Sequence, residues 1–256
     1  MFLEYLISDE YKAVLDQTSG KYDFYKNNQL IPKRVDKLYK FMPFNNNTIA
    51  CLLQSYFWLS NPSTFNDPFD CNKNLIIGFD GNDVDNKFQL KNHFESLGIT
   101  SFSEKLGNPL MWGHYTNNYH GIVLEIDSSN LHEYSSMINS DHHTNYDFRK
   151  VLYPKYFNPI LKEFEFAEPL LYSSKIKNWE YEQEWRIIAN IKNNMRYLHF
   201  DHRIIKKIFI GYNLWKNNST AFHIIAHIQQ INYPHAEIYK VYPHQKEFGT
   251  LVFEKI

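Results

Sequence analysis

The sequence Gly-Ile-Val-Leu-Glu-Ile-Asp at residues 121–127 is the clearest β-strand pattern of the chain. It is apolar at nearly every position, which is typical of a central strand that is buried on both faces. Outward from it, Pro109 suits the first turn of a helix over residues 110–116. Residues 99–103 and 37–42 have the composition of further strands. The region around residues 121–127 therefore predicts a sheet with helices packed against it.

The remaining elements extend this mixed pattern. We predict helices over residues 49–56, 83–97, 158–176 with an interruption at Pro169, and from the capping Asn217 and Asn218 to Ile231. Further strands are expected at residues 57–60, 151–153, 181–191, 197–200, 208–210, 238–242 and 250–253. Residues 1–30 are interpreted as a helical N-terminal lead-in, and residues 128–147 as a polar loop. The pattern predicts a single α+β domain over residues 31–256, with a mostly antiparallel, split β-sheet core and flanking helices.

The composition limits the classes of function. Of the 256 residues, 43% are hydrophobic and 17% aromatic, so the chain can bury a core and is not disordered. Its 27 basic and 28 acidic residues give a net charge of -1, which excludes a global basic field for nucleic acid but leaves a local basic groove open. The phosphate-loop, dinucleotide-binding and nucleophile-elbow motifs are absent from the sequence, which disfavours ATPases, Rossmann oxidoreductases and α/β-hydrolases.

The cysteines and the apolar runs indicate a compartment. Cys51 and Cys71 are the two cysteines of the sequence, too few for a disulfide scaffold, and we expect both to be free thiols. No apolar run reaches the length of a membrane span, and charged residues follow Met1 too soon for a signal peptide. The sequence therefore predicts a cytoplasmic protein that does not enter a membrane.

The strongest candidate for chemistry is Trp-Glu-Tyr-Glu-Gln-Glu-Trp-Arg-Ile at residues 179–187. In a strand, alternation places Glu180, Glu182, Glu184 and Arg186 on one face. Three neighbouring carboxylates repel each other, so this face is either fully solvated or part of a site that needs negative charge. The flanking tryptophans disfavour a fully exposed strand. A carboxylate beside aromatic walls is suited to stabilising a cationic, oxocarbenium-like sugar.

A second candidate segment, residues 108–121, carries His114 and His120 next to two tyrosines. Their spacing matches no familiar set of metal ligands, so we expect no metal here. The pattern favours a helix that packs Met111 and Trp112 into the core and turns a polar edge toward a cleft. We expect Trp112, like Trp185 in the first segment, to be buried.

Six segments, taken in order, resemble a bacterial family known as domain of unknown function 2971. They are Leu38-Tyr39-Lys40-Phe41, Phe65-Asn66-Asp67-Pro68-Phe69, Thr100-Ser101-Phe102-Ser103, Met111-Trp112-Gly113-His114-Tyr115, His120-Gly121-Ile122-Val123-Leu124-Glu125 and Trp179-Glu180-Tyr181-Glu182-Gln183-Glu184-Trp185-Arg186. The resemblance names a family without naming a reaction. The segments supply candidate substrate-binding residues, namely Tyr39, Lys40, Ser103, Trp112, His114, Tyr115 and Arg186.

A more distant similarity is to the ADP-ribosyltransferases, which share a split β-sheet core. That family carries an Arg or His at the end of an early strand, then a Ser- or Tyr-bearing strand, then a late Glu-x-Glu. This chain has Lys40, then Ser101 or Ser103, then Glu182 and Glu184. The similarity implies that Lys40 holds the phosphate or nicotinamide side of NAD and that Ser101 or Ser103 orients Glu184. Glu184 would stabilise the cationic sugar, and Glu182 would position or activate the acceptor.

The similarity thus implies an NAD-dependent ADP-ribosyltransferase-like enzyme with NAD as its substrate and no metal. It further implies a toxin or anti-phage defence effector that acts on a protein or nucleic-acid acceptor and has an antitoxin or defence partner. Two alternatives stay open. One is a nucleic-acid-acting module in which Lys33, Arg34, Lys37 and Lys40 join tyrosines and tryptophans in a stacking groove. The other is a scaffold whose aromatic cleft holds a nucleotide without chemistry.

Overall fold

The computed structural model of the chain describes residues 2–71, 76–77, 96–129, 146–158, 160–161 and 164–256. By packing, the chain divides into two units. The first unit comprises Met1–Lys33, Ser60–Ile99 and Asn145–Asn194. The second unit comprises Arg34–Leu59, Thr100–Thr144 and Met195–Ile256. Each unit is therefore assembled from three separate stretches of sequence. The predicted single domain over residues 31–256 is not tested by this division and stays a prediction.

Strands outnumber helices among the described residues. The strands, in chain order, are β1 (Phe2–Leu6), β2 (Tyr11–Asp16), β3 (Tyr22–Lys26), β4 (Gln29–Leu30), β5 (Lys37–Pro43), β6 (Tyr56–Trp58), β7 (Ile76–Ile77), β8 (Leu97–Ser103), β9 (Gly121–Asp127), β10 (Tyr146–Lys150), β11 (Ile160–Leu161), β12 (Glu184–Asn190), β13 (Tyr197–His199), β14 (Ile205–Ile210), β15 (Glu237–Pro243) and β16 (Leu251–Lys255). The α-helices are α1 (Asn46–Gln54), α2 (Pro109–Tyr115), α3 (Ala167–Tyr172), α4 (Tyr212–Asn217) and α5 (Ser219–Asn232). Short 3-10 helices span Pro62–Thr64, Lys177–Glu182 and His202–Ile204.

The pairing of these strands settles the fold class. Among the strand pairs whose register is described, β7 with β11 and β14 with β15 are parallel, and the others are antiparallel. Helices and strands are both present in quantity. The predicted α+β class with mostly antiparallel sheets is confirmed.

The helical lead-in that we predict for residues 1–30 is wrong. This segment forms the antiparallel sheet β1-β2-β3-β4 of the first unit. Tyr11 and Ala13 are buried two residues apart, as a pleated strand requires. Asn27 and Asn28 both adopt positive φ, 49° and 63°, as in the two-residue turns typical of β-hairpins. The two-residue burial period and the asparagine turn outweigh the short helical stripe.

The rest of the first unit builds a core around α3. Phe166, Leu170 and Leu152 are buried in it, and β12 pairs with β10. The predicted helix over residues 158–176 is wrong except for α3, which tolerates Pro169 because a proline in the first turn loses no intrahelical bond. Residues 151–153 form an isolated bridge from Leu152 to Ser174 in place of the predicted strand.

The sheet of the second unit has the order β8-β5-β9-β14-β15-β16, in which β8 enters the unit at Thr100. Strand β9 pairs with β5 on one side and β14 on the other, which confirms it as a central strand. At its first residue, a Cβ on Gly121 would lie 2.1 Å from the carbonyl oxygen of Met42, so only glycine fits there. Helix α2 carries Trp112 into a core with Val123 and Phe209.

Helix caps, buried tryptophans and free thiols lie among the described residues. Helix α5 is capped by the side chain of Asn218, as predicted, whereas α1 is capped by Asn45 and begins three residues before the predicted residue 49. Trp112 and Trp185 are both fully buried, and Cys51 and Cys71 are free thiols, as predicted. The predicted helix over residues 83–97 and the predicted loop over residues 128–147 lie largely outside the described residues.

Candidate functional site

The Glu-x-Glu segment does not form the strand that alternation predicts. Residues Lys177–Glu182 form a 3-10 helix, and β12 begins only at Glu184. Between them, Gln183 adopts a left-handed backbone with φ of 42°, and its N–H donates to the carbonyl oxygen of Glu180. The face on which we predict Glu180 beside Glu182 and Glu184 therefore does not exist. Glu180 instead forms ion pairs with Lys26 and Lys177 and is partly exposed.

Glu182 and Glu184 are only 2% and 4% exposed, so the fully solvated alternative is wrong for both. The amino group of Lys175 links them, since its Nζ lies 2.5 Å from Oε2 of Glu182 and 3.4 Å from Oε2 of Glu184. The ring of Trp179 lies 4.9 Å from the same Nζ. Burial lowers the pKa of Lys175, but the two carboxylates more than offset burial, and its pKa is raised. The pair is thus bridged by a charged lysine.

Arg186, which is 1% exposed, holds Glu184 from the other side. Its Nε donates to Oε1 of Glu184 at 2.8 Å, and its two terminal nitrogens donate to the carboxylate of Asp70 at 2.8 and 2.6 Å. This two-pronged contact is geometry that arginine alone among the cationic side chains offers. Burial lowers the pKa of Arg186, and the carboxylates of Glu184 and Asp70 raise it by more, to well above its usual value.

A tight turn presents Asp70 to this arginine. The backbone N–H of Phe69 donates to Oδ1 of Asp67 at 2.9 Å, and the N–H of Asp70 donates to the carbonyl oxygen of Asp67 at 3.0 Å. Asp67 is followed by Pro68, which fixes one backbone angle of the turn. The turn that begins at Asp67 therefore places the Asp70 carboxylate against Arg186.

We call Asp70, Lys175, Glu182, Glu184 and Arg186 the buried charge cluster. Counted as ionised, its three carboxylates and two cations sum to -1. A buried group with excess negative charge can stabilise a neighbouring positive charge that would be costly in a nonpolar setting. Such a cluster is chemically suited to a reaction that develops a cation.

Sequence reasoning missed three contributors near this cluster. Asp70 comes from a distant part of the sequence, and Lys175 lies seven residues before Glu182. Tyr153 accepts the backbone N–H of Glu184 on its hydroxyl oxygen at 2.8 Å. Burial raises the pKa of Tyr153 well above its usual value. No periodic pattern links these positions. The one available signal is the excess of carboxylates itself, which requires buried cations if the strand is not solvated.

Lys40, which we predict as a phosphate-binding residue, contacts strand β8. Its Nζ donates to Oγ1 of Thr100 at 2.9 Å and to the carbonyl oxygen of Ser101 at 2.8 Å. The ring of Phe102 lies 5.3 Å from the same Nζ. By strand alternation, Thr100 and Phe102 share a face of β8, and Ser101 and Ser103 point to the other. The hydroxyl that meets Lys40 is therefore that of Thr100.

Tyr39 lies on the sheet face opposite to Lys40, because the two residues are adjacent in β5. Its register partner is Ser103, and its hydroxyl donates to Oε2 of Glu125 at 3.2 Å. Lys207 lies 3.1 Å from Oε1 of the same glutamate. Burial and the charge of Glu125 raise the pKa of Tyr39. Tyr39 and Ser103 therefore do not lie on the same face of the sheet as Lys40.

The α2 residues have separate surroundings. Trp112 is fully buried, donates from Nε1 to the carbonyl oxygen of Leu106 at 2.8 Å and stacks against Tyr119, so it packs in the core. His114 is exposed and its ring centroid lies 6.3 Å from that of the half-buried Tyr115. Within the described ranges, no group of three His, Cys, Asp or Glu side chains is arranged to hold a metal ion.

The predicted site residues thus fall into groups. Glu182, Glu184 and Arg186 belong to the first unit, whereas Lys40 and Ser101 belong to the second. That these residues share one cleft stays a prediction. Of the basic residues considered for a stacking groove, Lys33, Arg34 and Lys37 are exposed and Lys40 is half-buried. In the part of the chain that is described, no helix has the length and apolar character needed to cross a bilayer.

The family described as "Protein of unknown function (DUF2971)" matches the chain over residues 111–187. The match begins within α2, ends within β12 and includes Glu182 and Glu184, and it confirms the resemblance to that family seen in the sequence. Lys40 and Ser101 lie outside the matched residues. No curated protein and no solved structure matches the chain. The similarity to ADP-ribosyltransferases stays a prediction.

Proposed function

We propose that the chain is an NAD-dependent ADP-ribosyltransferase-like enzyme in which Glu184 is the catalytic carboxylate. The observation that carries the proposal is the buried charge cluster, because it holds both glutamates of the Glu-x-Glu motif out of water with an excess of negative charge. Desolvating such charges costs folding free energy, and apolar residues of similar size would often serve stability better. Retaining them is therefore expected where the charge has a chemical use.

In the proposed reaction, the bond between the ribose carbon and the nicotinamide nitrogen of NAD breaks, and its electron pair leaves with nicotinamide. Glu184 stabilises the positive charge that remains on the sugar. Arg186 fixes the orientation of this carboxylate through donors at 2.8 and 3.2 Å. A nucleophile of the acceptor then forms a bond to the same ribose carbon, and Glu182 takes its proton.

Lys40 supplies a positive charge for the phosphates of NAD in this proposal, as a point charge without the fork of an arginine. Its bond to Thr100 supports a refinement of the sequence-based assignment. Thr100, and not Ser101 or Ser103, is the hydroxyl residue that we assign to the same face as Lys40.

The wider role is also part of the proposal. The similarity to ADP-ribosyltransferases suggests a toxin or anti-phage defence effector that modifies a protein or nucleic acid and is held in check by an antitoxin partner. Two free, buried thiols support a cytoplasmic location, where thiols are kept reduced.

The test is the release of nicotinamide from labelled NAD by the purified chain, with and without total cell protein and nucleic acid as acceptors. We expect release that depends on the chain, with label from the ADP-ribose part appearing on an acceptor of one class. Labelled acceptor identifies a transferase, and release without labelled acceptor identifies hydrolysis of NAD by the same site. No release under any of these conditions would contradict the proposal.

Glu180 provides a matched control for Glu184. Both are glutamates of the same segment, but Glu180 lies outside the buried charge cluster and pairs with Lys26 and Lys177. Glu184→Gln should abolish nicotinamide release, and Glu180→Gln should leave it within about twofold of the native rate. Equal rates for the two variants would contradict the catalytic role of Glu184.

A further inference from the structure

We propose that the second unit carries a binding site for the base of a nucleotide, formed by Tyr119, Tyr212 and Phe248. A pocket of about 340 Å³ lies among these rings, Pro243, His244 and Leu251. Its volume is within the range of small-molecule sites. The proposal does not rest on the proposed function, because NAD chemistry and base binding are tested by separate measurements.

Two of the three rings, those of Tyr119 and Tyr212, are held in place by other contacts. Tyr119 stacks on the buried Trp112, with an interplanar angle of 11°, and its hydroxyl donates to the carbonyl oxygen of Pro109 at 3.2 Å. Tyr212 contacts the ring of Trp215 edge-on, with centroids 5.5 Å apart. Rings that are fixed before a ligand arrives lose little conformational entropy when they stack on it.

Phe248 completes the pocket from the loop between β15 and β16. Its side chain is fully exposed, although the loop itself is ordered by hydrogen bonds between His244 and Thr250 and between Thr250 and Glu247. The next residue, Gly249, has φ of 83°, a conformation that favours glycine and turns the chain directly after Phe248. A single exposed ring is ordinary. An exposed ring on the rim of an aromatic pocket is a surface that a planar ligand would cover.

The polar atoms of the pocket fit a neutral heterocycle. None of its described lining residues is Asp, Glu, Lys or Arg. Nδ1 of His244 accepts the N–H groups of Lys246 and Glu247, so the ring hydrogen lies on Nε2, which is a donor. Nδ2 of Asn213 donates to the carbonyl oxygen of Asn118, which directs Oδ1 of the amide to accept from other groups. One donor and one acceptor beside stacked rings are what the edge of a base requires.

A cation for the phosphate lies next to the pocket. Nζ of Lys216 donates to the hydroxyl oxygen of Tyr212 at 2.6 Å, at the edge of the ring that lines the pocket. The neighbouring pocket, which shares Pro243 and His244, is lined by Lys246 but also by Glu254. Because that carboxylate would repel a phosphate beside Lys246, we assign the phosphate to Lys216. Free nucleotides and the end of a single strand present the same base and phosphate.

Calorimetric titration of the full chain tests this site. The ligands are the four ribonucleoside monophosphates, the corresponding nucleosides, and short single-stranded oligonucleotides. We expect saturable binding of at least one base that Phe248→Ala weakens by about tenfold or more, as expected for one stacked ring. Phe2→Ala, which removes an exposed phenylalanine from the first unit, should leave the affinity unchanged. Lys216→Gln should weaken the nucleotide and not the nucleoside.

The arms separate the sources of the ligand. Binding of free nucleotides supports a small-molecule ligand, and binding of oligonucleotides alone supports the end of a strand. Phe248 is fully exposed, so its loss should not change the melting temperature, and reduced binding cannot then be ascribed to unfolding. Absence of binding in every arm, or equal affinity of the native chain and Phe248→Ala, would overturn the proposal. Either result leaves the NAD assay unaffected.

Discussion

Glu184 in the first unit and Glu125 in the second are both buried glutamates on strands, but their partners differ. Glu184 is held by Arg186 and Lys175, whose side chains are almost entirely buried. Glu125 is held by Lys207, whose side chain is 30% exposed, and by the half-buried Tyr39. The cations beside the first glutamate are almost entirely buried, whereas the lysine beside the second reaches water.

The difference shows where charge is costly in this molecule. An ion pair that reaches water contributes little to stability and costs little when it is lost. A buried cluster with three carboxylates and two cations couples all its members, so that removing one leaves uncompensated charge in a low dielectric. Such a cluster lowers the stability of the fold relative to apolar residues of similar size. This cost is the physical reason for proposing the active site there.

The largest expected effect comes from removing the central cation. Arg186→Met leaves Asp70 and Glu184 buried without their shared partner, and we expect a loss of about 3–5 kcal/mol in the free energy of unfolding. Lys207→Met should cost less than about 1 kcal/mol, since that lysine is partly exposed. Urea denaturation of both variants measures the contrast. Equal losses would show that the two glutamates have equivalent environments.

A smaller effect is expected from neutralising the glutamates themselves. If the glutamates lined an open cleft, as the sequence alone suggests, Glu184→Gln would leave the free energy of unfolding unchanged or raise it slightly. The contacts with Arg186 and Lys175 reverse that expectation, and we predict a loss of about 1–3 kcal/mol. Glu125→Gln should cost no more than about 1 kcal/mol. Thermal unfolding of the two variants at neutral pH would detect the difference, and a stabilised Glu184→Gln would contradict it.

A still smaller effect concerns Glu180, the glutamate left out of the cluster. Burial raises its pKa, but Lys26 and Lys177 together lower it by more, so its folded pKa lies below the ordinary value. A lowered folded pKa adds stability above the unfolded pKa of about 4.3, and that stability is lost as the pH falls through the folded value. Glu180→Gln should therefore cost less than about 1 kcal/mol at pH 7.

The same variant has a predicted pH dependence. Because the native chain loses the contribution of Glu180 in acid, the difference in unfolding free energy between native chain and Glu180→Gln should shrink between about pH 5 and pH 3. Denaturation at both pH values measures it. A difference that grows in acid would mean that the folded pKa of Glu180 is raised and not lowered.

The smallest effect is expected on thiol labelling. Burial raises the pKa of Cys51 to about 12 and also raises that of Cys71, so neither thiol should react with an alkylating reagent in the native chain at about pH 8. Cys71 lies 3.8 Å from a terminal nitrogen of Arg186. In Arg186→Met, Cys71 should become labelled before Cys51, as mass spectrometry of peptides would show. Labelling of Cys51 before Cys71 would show that the protection of Cys71 does not depend on Arg186.

The elements that the sequence predicts correctly have clear local patterns, and the elements that it misses do not. Strand β9 and helices α2 and α5 follow from local apolar patterns and caps, and the burial of Trp185 follows from its own segment. The sheet at residues 1–30 does not follow, because the turn between β3 and β4 is Asn27-Asn28, which contains no glycine to signal a hairpin. In residues 1–30, the helix-like spacing of a few apolar residues is a more visible pattern than the strand alternation, which the turns interrupt.

The candidate site shows the same limit. Glu182 and Glu184 are visible in the sequence, but the left-handed Gln183 that joins a 3-10 helix to β12 is not. Asp70 joins the cluster only through tertiary packing, whereas Lys175 reaches Glu182 from seven residues before it in the sequence. Likewise, the fold brings Lys40 to the hydroxyl of Thr100 but only to the backbone carbonyl oxygen of Ser101. Residue types suggest the chemistry, and the fold selects the partners.

The most direct test of the proposed catalytic role of Glu184 is single-turnover release of nicotinamide by Glu184→Gln, measured at a temperature where circular dichroism shows the variant to be fully folded. Lys175→Met serves as the control, because it disturbs the buried charge cluster and keeps the carboxylate of Glu184. We predict that the rate for Glu184→Gln falls by about a hundredfold or more, and that Lys175→Met keeps a larger share of the native rate. A folded Glu184→Gln that releases nicotinamide at the native rate would contradict the role of Glu184 and reduce the cluster to a structural feature.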